Sequence, residues 1–429
     1  MALLLKNGHV VDPQTHTGMR FDVKIDGDTI VEVGENLSSD GCEVIDLAGK
    51  YLVPGLVDMH VHLREPGYEH KGTIESETRA AVKGGFTGVC SMPNTDPVTD
   101  NGTVVEYVKS VAAREGHCHV YPAGACSKGL KGEIIAEMGD MVAHGAVAFT
   151  DDGRGIQGAG MMRRCMDYGK MFNKTFLSHC QDEDLVGDGQ VNEGVVSTRL
   201  GLLGWPAEGE ELQIARDIAL ARLTGAKLHI QHISTARGLE LVRAAKAEGL
   251  PVTCEVTPHH LFLTEDALDG TYDTRLKMNP PLRTAADAEA LIQGVIDGTV
   301  DAIATDHAPH AEWEKAREFE LAPFGTTGIE CALGLVLTNL VKTEKIDLGR
   351  MVELMAVKPR EILGLDPVKV EAGSIADLTV IDPEAIWTVG AEGYESKAVN
   401  CAFEGAELTG CASYVFVAGV RKLADGVVC

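Results

Sequence analysis

The sequence predicts an α/β fold, namely a (β/α)₈ TIM-type barrel with a small β-domain built from both chain ends. Three observations lead to this prediction: eight short apolar runs, helical segments between most of them, and alternating apolar and polar runs at the two ends. The intervals from His60 to Asp306 average about 35 residues, which is the size of one βα unit. A doubly wound parallel sheet is the alternative, but no GxGxxG motif follows the first run.

The eight apolar runs are the predicted barrel strands. In chain order they are "LVDMHVH" (56–62), "FTGVCSM" (86–92), "HVYPAGA" (119–125), "AVAFTDD" (146–152), "TFLSHC" (175–180), "KLHIQHIS" (227–234), "PVTCEVT" (251–257) and "DAIATDH" (301–307). Segments of helical period, such as 73–85 and 211–225, separate most of them. Two connections, 181–206 and 258–284, are longer than a barrel needs, and we expect them to carry function.

Short alternating runs broken by Gly, Asp and Asn mark both chain ends, for example "DVKIDGDTIVEVG" (22–34) and "CASYVFVAGVRKLADGVV" (411–428). Such runs are typical of antiparallel strands. Each end alone would leave unpaired strand edges, and chain termini often lie close together. We therefore predict one small β-sandwich-like domain from residues 1–53 and 370–429, with the catalytic barrel at 54–369.

Composition restricts the class of protein. The chain has 429 residues, of which 45% are apolar and 24% charged, as in globular proteins. Its net charge of −26 argues against nucleic acid and anionic membrane surfaces as partners. We see neither a signal peptide nor an apolar run long enough to span a membrane. Eleven cysteines without a CxxC pair read as reduced thiols, so the predicted location is cytoplasmic.

Residues that could bind a metal stand at the carboxyl ends of the predicted strands, where barrels place their active sites. They are His60, His62, Asp151, Asp152, His179, His232 and Asp306. Because side chains alternate along a strand, His60 and His62 point the same way. Four imidazoles with carboxylates suit zinc, cobalt, manganese or nickel better than calcium or magnesium. Four imidazoles and two of these carboxylates make six ligands, which exceed the need of one zinc ion but suffice for two that share a bridging carboxylate.

Spacing and residue type leave two assignments open. Spacing does not decide between Asp151 and Asp152, which are neighbours on opposite faces of the chain. The pair His259–His260 follows the seventh strand, and we favour a structural role or a contact to a metal ligand over direct ligation.

Several motifs together resemble the dihydroorotases of the amidohydrolase superfamily, in particular the bacterial class I type found in Gram-positive bacteria. "GLVDMHVHLREPG" (55–67) and "ATDHAPH" (304–310) are similar to the two family signatures. "SMPNT", "FTDDG", "TPHHL", "MNPPLR", "PFGTTGIE" and "GSIADLTVID" follow in the family's order. The resemblance covers essentially the whole chain and implies a metallo-dependent hydrolase barrel.

This resemblance implies two Zn²⁺ ions per subunit. One would be held by His60, His62 and Asp306, the other by His179 and His232, and Asp152 would bridge them. Many members of the superfamily bridge with a carboxylated lysine on the fourth strand, but "AFTDDG" offers no lysine.

The resemblance also implies the substrate pair, N-carbamoyl-L-aspartate and L-dihydroorotate, interconverted in pyrimidine biosynthesis. Arg64 and His310 would hold the substrate carboxylate, with Asn94 and Asn279 as hydrogen-bond partners. Backbone groups near Phe324 and Gly325 would contact the ring. Asp306 would act as the catalytic base and then as the acid. A guanidinium suits a planar carboxylate because it can donate two parallel hydrogen bonds.

The same resemblance implies a homodimer and allows an association with aspartate carbamoyltransferase. Three rival functions fit the sequence less well. A hydantoinase or allantoinase would not need Arg64 and Asn94 for a carboxylate. A metal-free scaffold subunit would lack the ligand histidines. A structural or storage zinc protein would not need Arg64, Asn94 and His310 around the metal.

Overall fold

The eight predicted barrel runs all form strands in the computed structural model, which describes residues 2–15 and 17–429. Met1 and His16, both within the predicted β-domain, lie outside the described residues. In chain order the strands are β1 Ala2–Val11, β2 Thr17–Asp26, β3 Thr29–Gly34, β4 Cys42–Asp46, β5 Tyr51–Pro54, β6 Leu56–Val61, β7 Phe86–Ser91, β8 His119–Gly124, β9 Ala148–Phe149, β10 Thr175–Ser178, β11 Val191–Asn192, β12 Gly204–Trp205, β13 Leu228–Ile230, β14 Val252–Val256, β15 Ala302–Ile303, β16 Leu378–Thr388, β17 Glu407–Val417, β18 Val420–Ala424 and β19 Val427–Val428.

The helices mostly follow barrel strands, as a βα repeat requires. They are α1 Ile74–Lys83, α2 Gly102–Glu115, α3 Met138–His144, α4 Ala159–Gly169, α5 Glu183–Val186, α6 Val195–Leu200, α7 Glu208–Thr224, α8 Ala236–Ala247, α9 Pro258–Phe262, α10 Ala285–Asp297, α11 Glu312–Lys315, α12 Ala332–Val336, α13 Leu348–Val352 and α14 Lys358–Leu363. Short 3₁₀ turns lie at Lys128–Leu130, Lys170–Phe172, Glu265–Leu268 and Thr274–Leu276, and π-helical turns at Leu337–Val341 and Glu353–Val357. None of the helices formed by the described residues is long and apolar enough to cross a membrane.

Local sequence explains where the main helices begin and end. The Thr73 side chain accepts a hydrogen bond from the Ser76 amide at the start of α1, and Thr284 does the same for Asp287 at the start of α10. Each is a capping box, because the side chain of the third helical residue also accepts a hydrogen bond from the backbone amide of the capping threonine. Gly225 ends α7 at φ 72°, a left-handed conformation that favours glycine.

The barrel consists of β6, β7, β8, β9, β10, β13, β14 and β15 in that spatial order, all parallel. The barrel closes between Val61 in β6 and His307, which lies four residues beyond β15, through a parallel bridge and a bond of 2.9 Å from the His62 amide to the His307 carbonyl. The predicted (β/α)₈ fold is therefore confirmed. The carboxyl ends of its strands meet on one face, where His60 in β6 and His62 just beyond β6 also lie.

Strands from both chain ends form a second sheet of nine strands. It is mixed, whereas the N-terminal part was expected to be antiparallel, because β4 and β5 both pair with β1 in the parallel sense. The two strands follow each other along the same edge of the long β1, so both run in its direction. The chain ends join where β16 pairs with β5. The domain boundaries at 53/54 and 369/370 stay a prediction.

The two long connections have structure of their own. The first, 181–206, contains α5, α6 and the short parallel pair β11–β12. The second, 258–284, ends at the buried Arg283. The Arg283 guanidinium donates to the Asn192 side chain at 2.9 Å and to the Trp205 carbonyl at 3.0 Å, and it lies 3.4 Å from the Glu210 carboxylate. One cation thus holds both connections together above the barrel.

Candidate metal and substrate site

The six side chains expected to bind metal lie together at the carboxyl ends of the barrel strands. They are His60, His62, Asp152, His179, His232 and Asp306, and all six are buried. Their ligand atoms form three overlapping triplets within 4.8 Å: His60–His232–Asp306, His60–His62–Asp152 and Asp152–His179–His232. Residues separated by up to 246 positions therefore share one small volume.

Asp152 lies at the centre of this cluster. Its carboxylate oxygens are 3.2 Å from His60 Nε2, 3.6 Å from His62 Nε2 and 3.7 Å from His179 Nδ1. Asp306 Oδ1 is 2.9 Å from His62 Nε2 and 3.4 Å from His60 Nε2. Asp152 thus contacts the β6 histidines on one side and His179 on the other, as a bridging ligand would.

His179 and His232 face each other across the other half of the cluster, with His179 Nδ1 2.8 Å from His232 Nε2. Two imidazole nitrogens at this distance either share one proton or face a common cation. Burial, followed by the charges of His179 and His60, holds the pKa of His232 well below its ordinary value. A neutral imidazole beside carboxylates is the form that binds metal.

The Asp152 carboxylate is held in its charged form. Burial alone would raise the pKa of Asp152, but the neighbouring charges of His60, His62 and His179 outweigh it and hold that pKa well below its ordinary value. Together the four imidazoles and two carboxylates supply the nitrogen and oxygen donors that zinc-type divalent ions prefer. The residues present therefore fit a pair of such ions.

Oxygen acceptors outside the cluster orient three of the imidazoles. His60 Nδ1 is 2.6 Å from Glu255 Oε1, His62 Nδ1 is 2.9 Å from Asn94 Oδ1, and His179 Nε2 is 3.0 Å from Gln181 Oε1. In each case one ring nitrogen faces the cluster and the other donates to an oxygen. This arrangement fixes the tautomer and the ring orientation of a metal ligand.

Glu255 was not foreseen in the sequence. Besides His60, this buried carboxylate contacts His229 Nε2 at 3.1 Å and accepts from the His232 amide at 3.3 Å. Burial would raise its pKa, yet the charge of His60 and the bond from His229 lower it to about 2. The available signal was a lone acidic residue inside the apolar run "PVTCEVT".

The structure also separates the two candidates in "FTDDG". Asp151 turns away from the histidines and accepts from the amides of Cys126 at 2.8 Å and Ser127 at 3.0 Å. Its neighbour Asp152 faces the cluster.

His260 has a structural position, because its ring lies 2.8 Å from Thr257 Oγ1 and 2.9 Å from the Pro280 carbonyl.

Three residues at this site have positive φ without being glycine. Arg64 lies at φ 66°, His232 at 30° and Asp306 at 48°. Such backbone costs energy and persists where the surrounding structure imposes it, which is common at functional sites. The strain therefore coincides with the residues predicted to bind metal and substrate.

A cavity of about 230 Å³ opens beside the cluster. Its lining includes all six predicted substrate contacts: Arg64, Asn94, Asn279, His310, Phe324 and Gly325. The metal-cluster residues His62, Asp152, His179, His232 and Asp306 line it as well. The two predicted sets of residues thus share one cavity.

Arg64 supplies a cation to this cavity. Its Nε donates to the Pro309 carbonyl at 2.9 Å, and its terminal nitrogen lies 3.3 Å from His310 Nε2. Within residues 2–15 and 17–429 we find no ion pair for Arg64. Burial and then the nearby Arg64 and Lys71 hold the pKa of His310 well below its ordinary value, so this imidazole is neutral near pH 7. A guanidinium without a counterion at a cavity suits an anionic ligand.

Two buried lysines hold the segment that carries Phe324 and Gly325, here called the 316–325 loop. Lys277 is 2% exposed and Lys315 is 7% exposed. Five loop carbonyls accept their hydrogen bonds, those of Phe319, Glu320 and Ala322 from Lys277 and those of Pro323 and Gly325 from Lys315. Sequence reasoning missed both lysines, because neither lies in an apolar run.

Comparisons with known proteins agree with the motifs. A family model described as "Dihydro-orotase-like" matches residues 49–238. The dihydroorotase of Pelotomaculum thermopropionicum is 48% identical over 428 residues, covering 100% of both chains. That of Ruminiclostridium cellulolyticum is 48% identical over 425 residues, covering 98% of this chain and 99% of the relative.

Solved structures of hydantoinases share the fold. The L-hydantoinase (dihydropyrimidinase) of Arthrobacter aurescens has a TM-score of 0.89 at 25% identity, with 100% of this chain and 97% of that one covered. The D-hydantoinase (dihydropyrimidinase) of Thermus sp. has a TM-score of 0.85 at 27% identity, with 100% and 96% covered. The full-length likeness to dihydroorotases is much stronger in sequence than the likeness to hydantoinases, and the chain belongs to the dihydroorotase family.

Proposed function

We propose that this chain is a zinc-dependent dihydroorotase that reversibly closes N-carbamoyl-L-aspartate to L-dihydroorotate and water. One observation carries the proposal beyond family membership: Arg64, whose guanidinium forms no ion pair with the described residues, lines the same cavity as the buried histidine and aspartate cluster. A cyclic amide that also bears a carboxylate would engage both features at once.

For the metal we propose two Zn²⁺ ions. His60, His62 and Asp306 would hold one, His179 and His232 the other, and Asp152 would contact both. When bound, such ions supply a hydroxide nucleophile near neutral pH and polarise the amide carbonyl. The short distances of Asp152 to His60 and His179 support its shared role.

For the substrate we propose that Arg64 donates to the carboxylate, together with the Asn94 amide nitrogen. Asn94 Oδ1 is occupied by His62, and the Asn94 NH₂ group donates one hydrogen to Asp152 at 3.3 Å, which leaves its second hydrogen for an anion. His310 Nε2 lies 2.7 Å from the Phe324 carbonyl and links the carboxylate region to the ring region. Backbone groups of Phe324 and Gly325 would contact the ring.

Asp306 is the proposed proton carrier, because it lines the cavity and its carboxylate lies within 2.9 Å of His62. In ring opening, oxygen from water bonds to the amide carbon and the ring carbon–nitrogen bond breaks. Asp306 would take the proton from the water oxygen and deliver it to the leaving nitrogen. Ring closure reverses these steps, with the proton passing from nitrogen to the leaving oxygen.

The homodimer and the association with aspartate carbamoyltransferase stay predictions. Light scattering of the purified chain, alone and mixed with that enzyme, would measure both.

The test of the proposed function uses the purified, zinc-supplied protein with L-dihydroorotate, followed by the loss of ring ultraviolet absorbance. Allantoin and hydantoin are measured in parallel, because hydantoinases share the fold. We expect ring opening of dihydroorotate alone, abolished by a chelator. Turnover of a rival substrate instead would overturn the role of Arg64. No turnover of any of the three with metal bound would favour a scaffold protein.

A further inference from the structure

Two buried cysteines lie side by side close to His307, where the barrel closes. Cys331 directly precedes α12, and Cys401 lies between β16 and β17. Their sulfur atoms are 4.0 Å apart, and each residue is 1% exposed. Because 70 positions separate them in the sequence, only the fold brings these two thiols together.

A small cavity lies against the two cysteines. Its volume is about 10 Å³, close to the least space that one water-sized molecule needs. Tyr394 also lines this cavity and is only half-buried, and its hydroxyl donates to the carboxylate of the exposed Glu404. Tyr394 therefore borders both the cavity and the solvent, and an outward movement of its side chain admits a small reagent to the thiols.

The two thiols differ in how readily they lose a proton. The hydrogen bond from Cys331 lowers the pKa of Cys401, and the Phe403 amide and the Tyr394 hydroxyl also lower it, against the effect of burial. The same bond and then burial raise the pKa of Cys331 well above its ordinary value. Because the thiolate is the reactive form of a cysteine, Cys401 is the better nucleophile of the two.

The residue before Cys401 holds three groups of the large cavity beside the metal cluster. Asn400 Oδ1 accepts from the His310 amide at 3.1 Å. Its Nδ2 donates to the carbonyls of Ala308 at 3.1 Å and Gly325 at 3.2 Å. All three of these partners line that cavity. A shift of the Cys401 backbone therefore reaches the cavity through one side chain.

We propose that Cys331 and Cys401 are an oxidative modification site, at which a hydroperoxide converts the pair to a disulfide that displaces Asn400 and loosens the cavity wall. The Cys401 thiolate attacks one peroxide oxygen, the O–O bond breaks, and the other oxygen takes a proton and leaves as water or an alcohol. The Cys331 sulfur then displaces the hydroxyl group of the Cys401 sulfenic acid. In this second step the S–S bond forms, the S–O bond breaks and water leaves. The two sulfurs together lose two electrons, and the peroxide gains them.

Closing the disulfide moves Asn400. The two sulfurs must come about 2 Å closer before they bond. Because Asn400 directly precedes Cys401, a movement of the Cys401 backbone toward Cys331 also shifts the Asn400 side chain. Its hydrogen bonds of 3.1, 3.1 and 3.2 Å are near the upper end of the normal range, so a small shift breaks them. The oxidised protein therefore holds Gly325 and the rest of the 316–325 loop less firmly.

The test treats the zinc-supplied protein with hydrogen peroxide and maps disulfides by mass spectrometry of unreduced peptides. Trypsin cleavage after the exposed Arg317 and the Michaelis constant for dihydroorotate are measured before and after reduction with dithiothreitol. The variants are Cys331→Ser and Cys401→Ser, in which the hydroxyl keeps a similar volume and a donor. Cys118→Ala is the control, because Cys118 is a buried thiol whose pKa is raised by burial.

We expect one linked peptide pair, Cys331 with Cys401, in the oxidised wild type and in Cys118→Ala. Cleavage should become about tenfold faster and the Michaelis constant about tenfold larger, the effect of about one lost hydrogen bond, and reduction should reverse both. Cys331→Ser should form a Cys401 sulfenic acid that dimedone traps, whereas Cys401→Ser should form neither adduct nor link. Without peroxide, both serine variants should have the wild-type Michaelis constant, because neither sulfur contacts the large cavity.

A wild type without this link, or with other cysteines linked instead, would overturn the modification site. A dimedone adduct on Cys331 in place of Cys401 would overturn the assignment of the attacking thiol. A linked protein with the cleavage rate of the reduced protein would overturn the displacement of Asn400. The effect on the Michaelis constant rests on the proposed function. If the wild type does not turn over dihydroorotate, that function fails, while the peptide map and the cleavage rate still decide this inference.

Discussion

Replacing Lys277 by methionine should release the 316–325 loop. Methionine fills similar volume but cannot donate, so three carbonyls that accept from Lys277 Nζ at 2.8, 3.1 and 2.7 Å lose their partner. Each hydrogen bond contributes about 1 kcal/mol net. The closed conformation of the loop therefore loses about 3 kcal/mol of free energy relative to its open conformations. Lys315→Met removes two bonds of 2.9 Å and should cost about 2 kcal/mol.

Trypsin cleavage after the exposed Arg317 measures this opening, because the loop must leave its place to enter a protease. When the loop recloses faster than trypsin cleaves it, the cleavage rate is proportional to the population of the open loop. We expect cleavage about 100-fold faster in Lys277→Met and about 30-fold faster in Lys315→Met. The Michaelis constant should rise in the same order while turnover at saturation changes less, because the loop supplies Phe324 and Gly325 to the cavity.

Lys131→Met, at an exposed position, is the matched control and should leave both quantities unchanged. Wild-type cleavage at Arg317 in Lys277→Met, or a larger effect in Lys315→Met than in Lys277→Met, would refute the reasoning. Either result would mean that the loop is held by its other contacts, such as those of Asn400 to the Gly325 carbonyl.

Three further predictions concern the cluster and its surroundings. Asp306→Asn should keep most of its zinc by elemental analysis but lose turnover at least about 100-fold, and near-normal activity would exclude Asp306 as proton carrier. Glu255→Gln should weaken zinc binding about 10–100-fold in a chelator competition, while the exposed Glu240→Gln should not. Burial lowers the pKa of His260 to about 4, so as pH falls below about 6.5 the unfolded chain gains a proton that the folded one excludes. Between pH 7 and 5 the wild type should lose about 2 kcal/mol of unfolding free energy more than His260→Gln, measured in urea; equal losses would contradict this assignment.

The barrel could be predicted because its βα repeat produces a regular pattern in the local sequence. Short apolar runs separated by helical segments are readable without any long-range contact, and all eight predicted runs form strands. The pairing of His60 and His62 could be predicted for the same reason, since alternation along an extended chain places both side chains on one side. Membership in the dihydroorotases, predicted from the motifs, is confirmed by the full-length relatives.

Other features depended on distances that the sequence does not contain. Spacing left Asp151 and Asp152 equivalent, and only the fold turns Asp151 toward Ser127 and Asp152 toward the histidines. The parallel pairing of β4 and β5 with β1 likewise depends on which edge of β1 the chain returns to.

By itself, the sequence determined the periodic elements, the residues at strand ends and the family, because each depends on neighbours a few positions apart or on motifs in order. The tertiary structure alone decided which groups surround those residues. Glu255 reaches His60 across 195 positions, and Gln181 reaches Asn279 across 98. Hydrogen bonds act over about 3 Å of space whatever the separation in the chain, so the orientation of a histidine or an asparagine is settled only when the barrel closes.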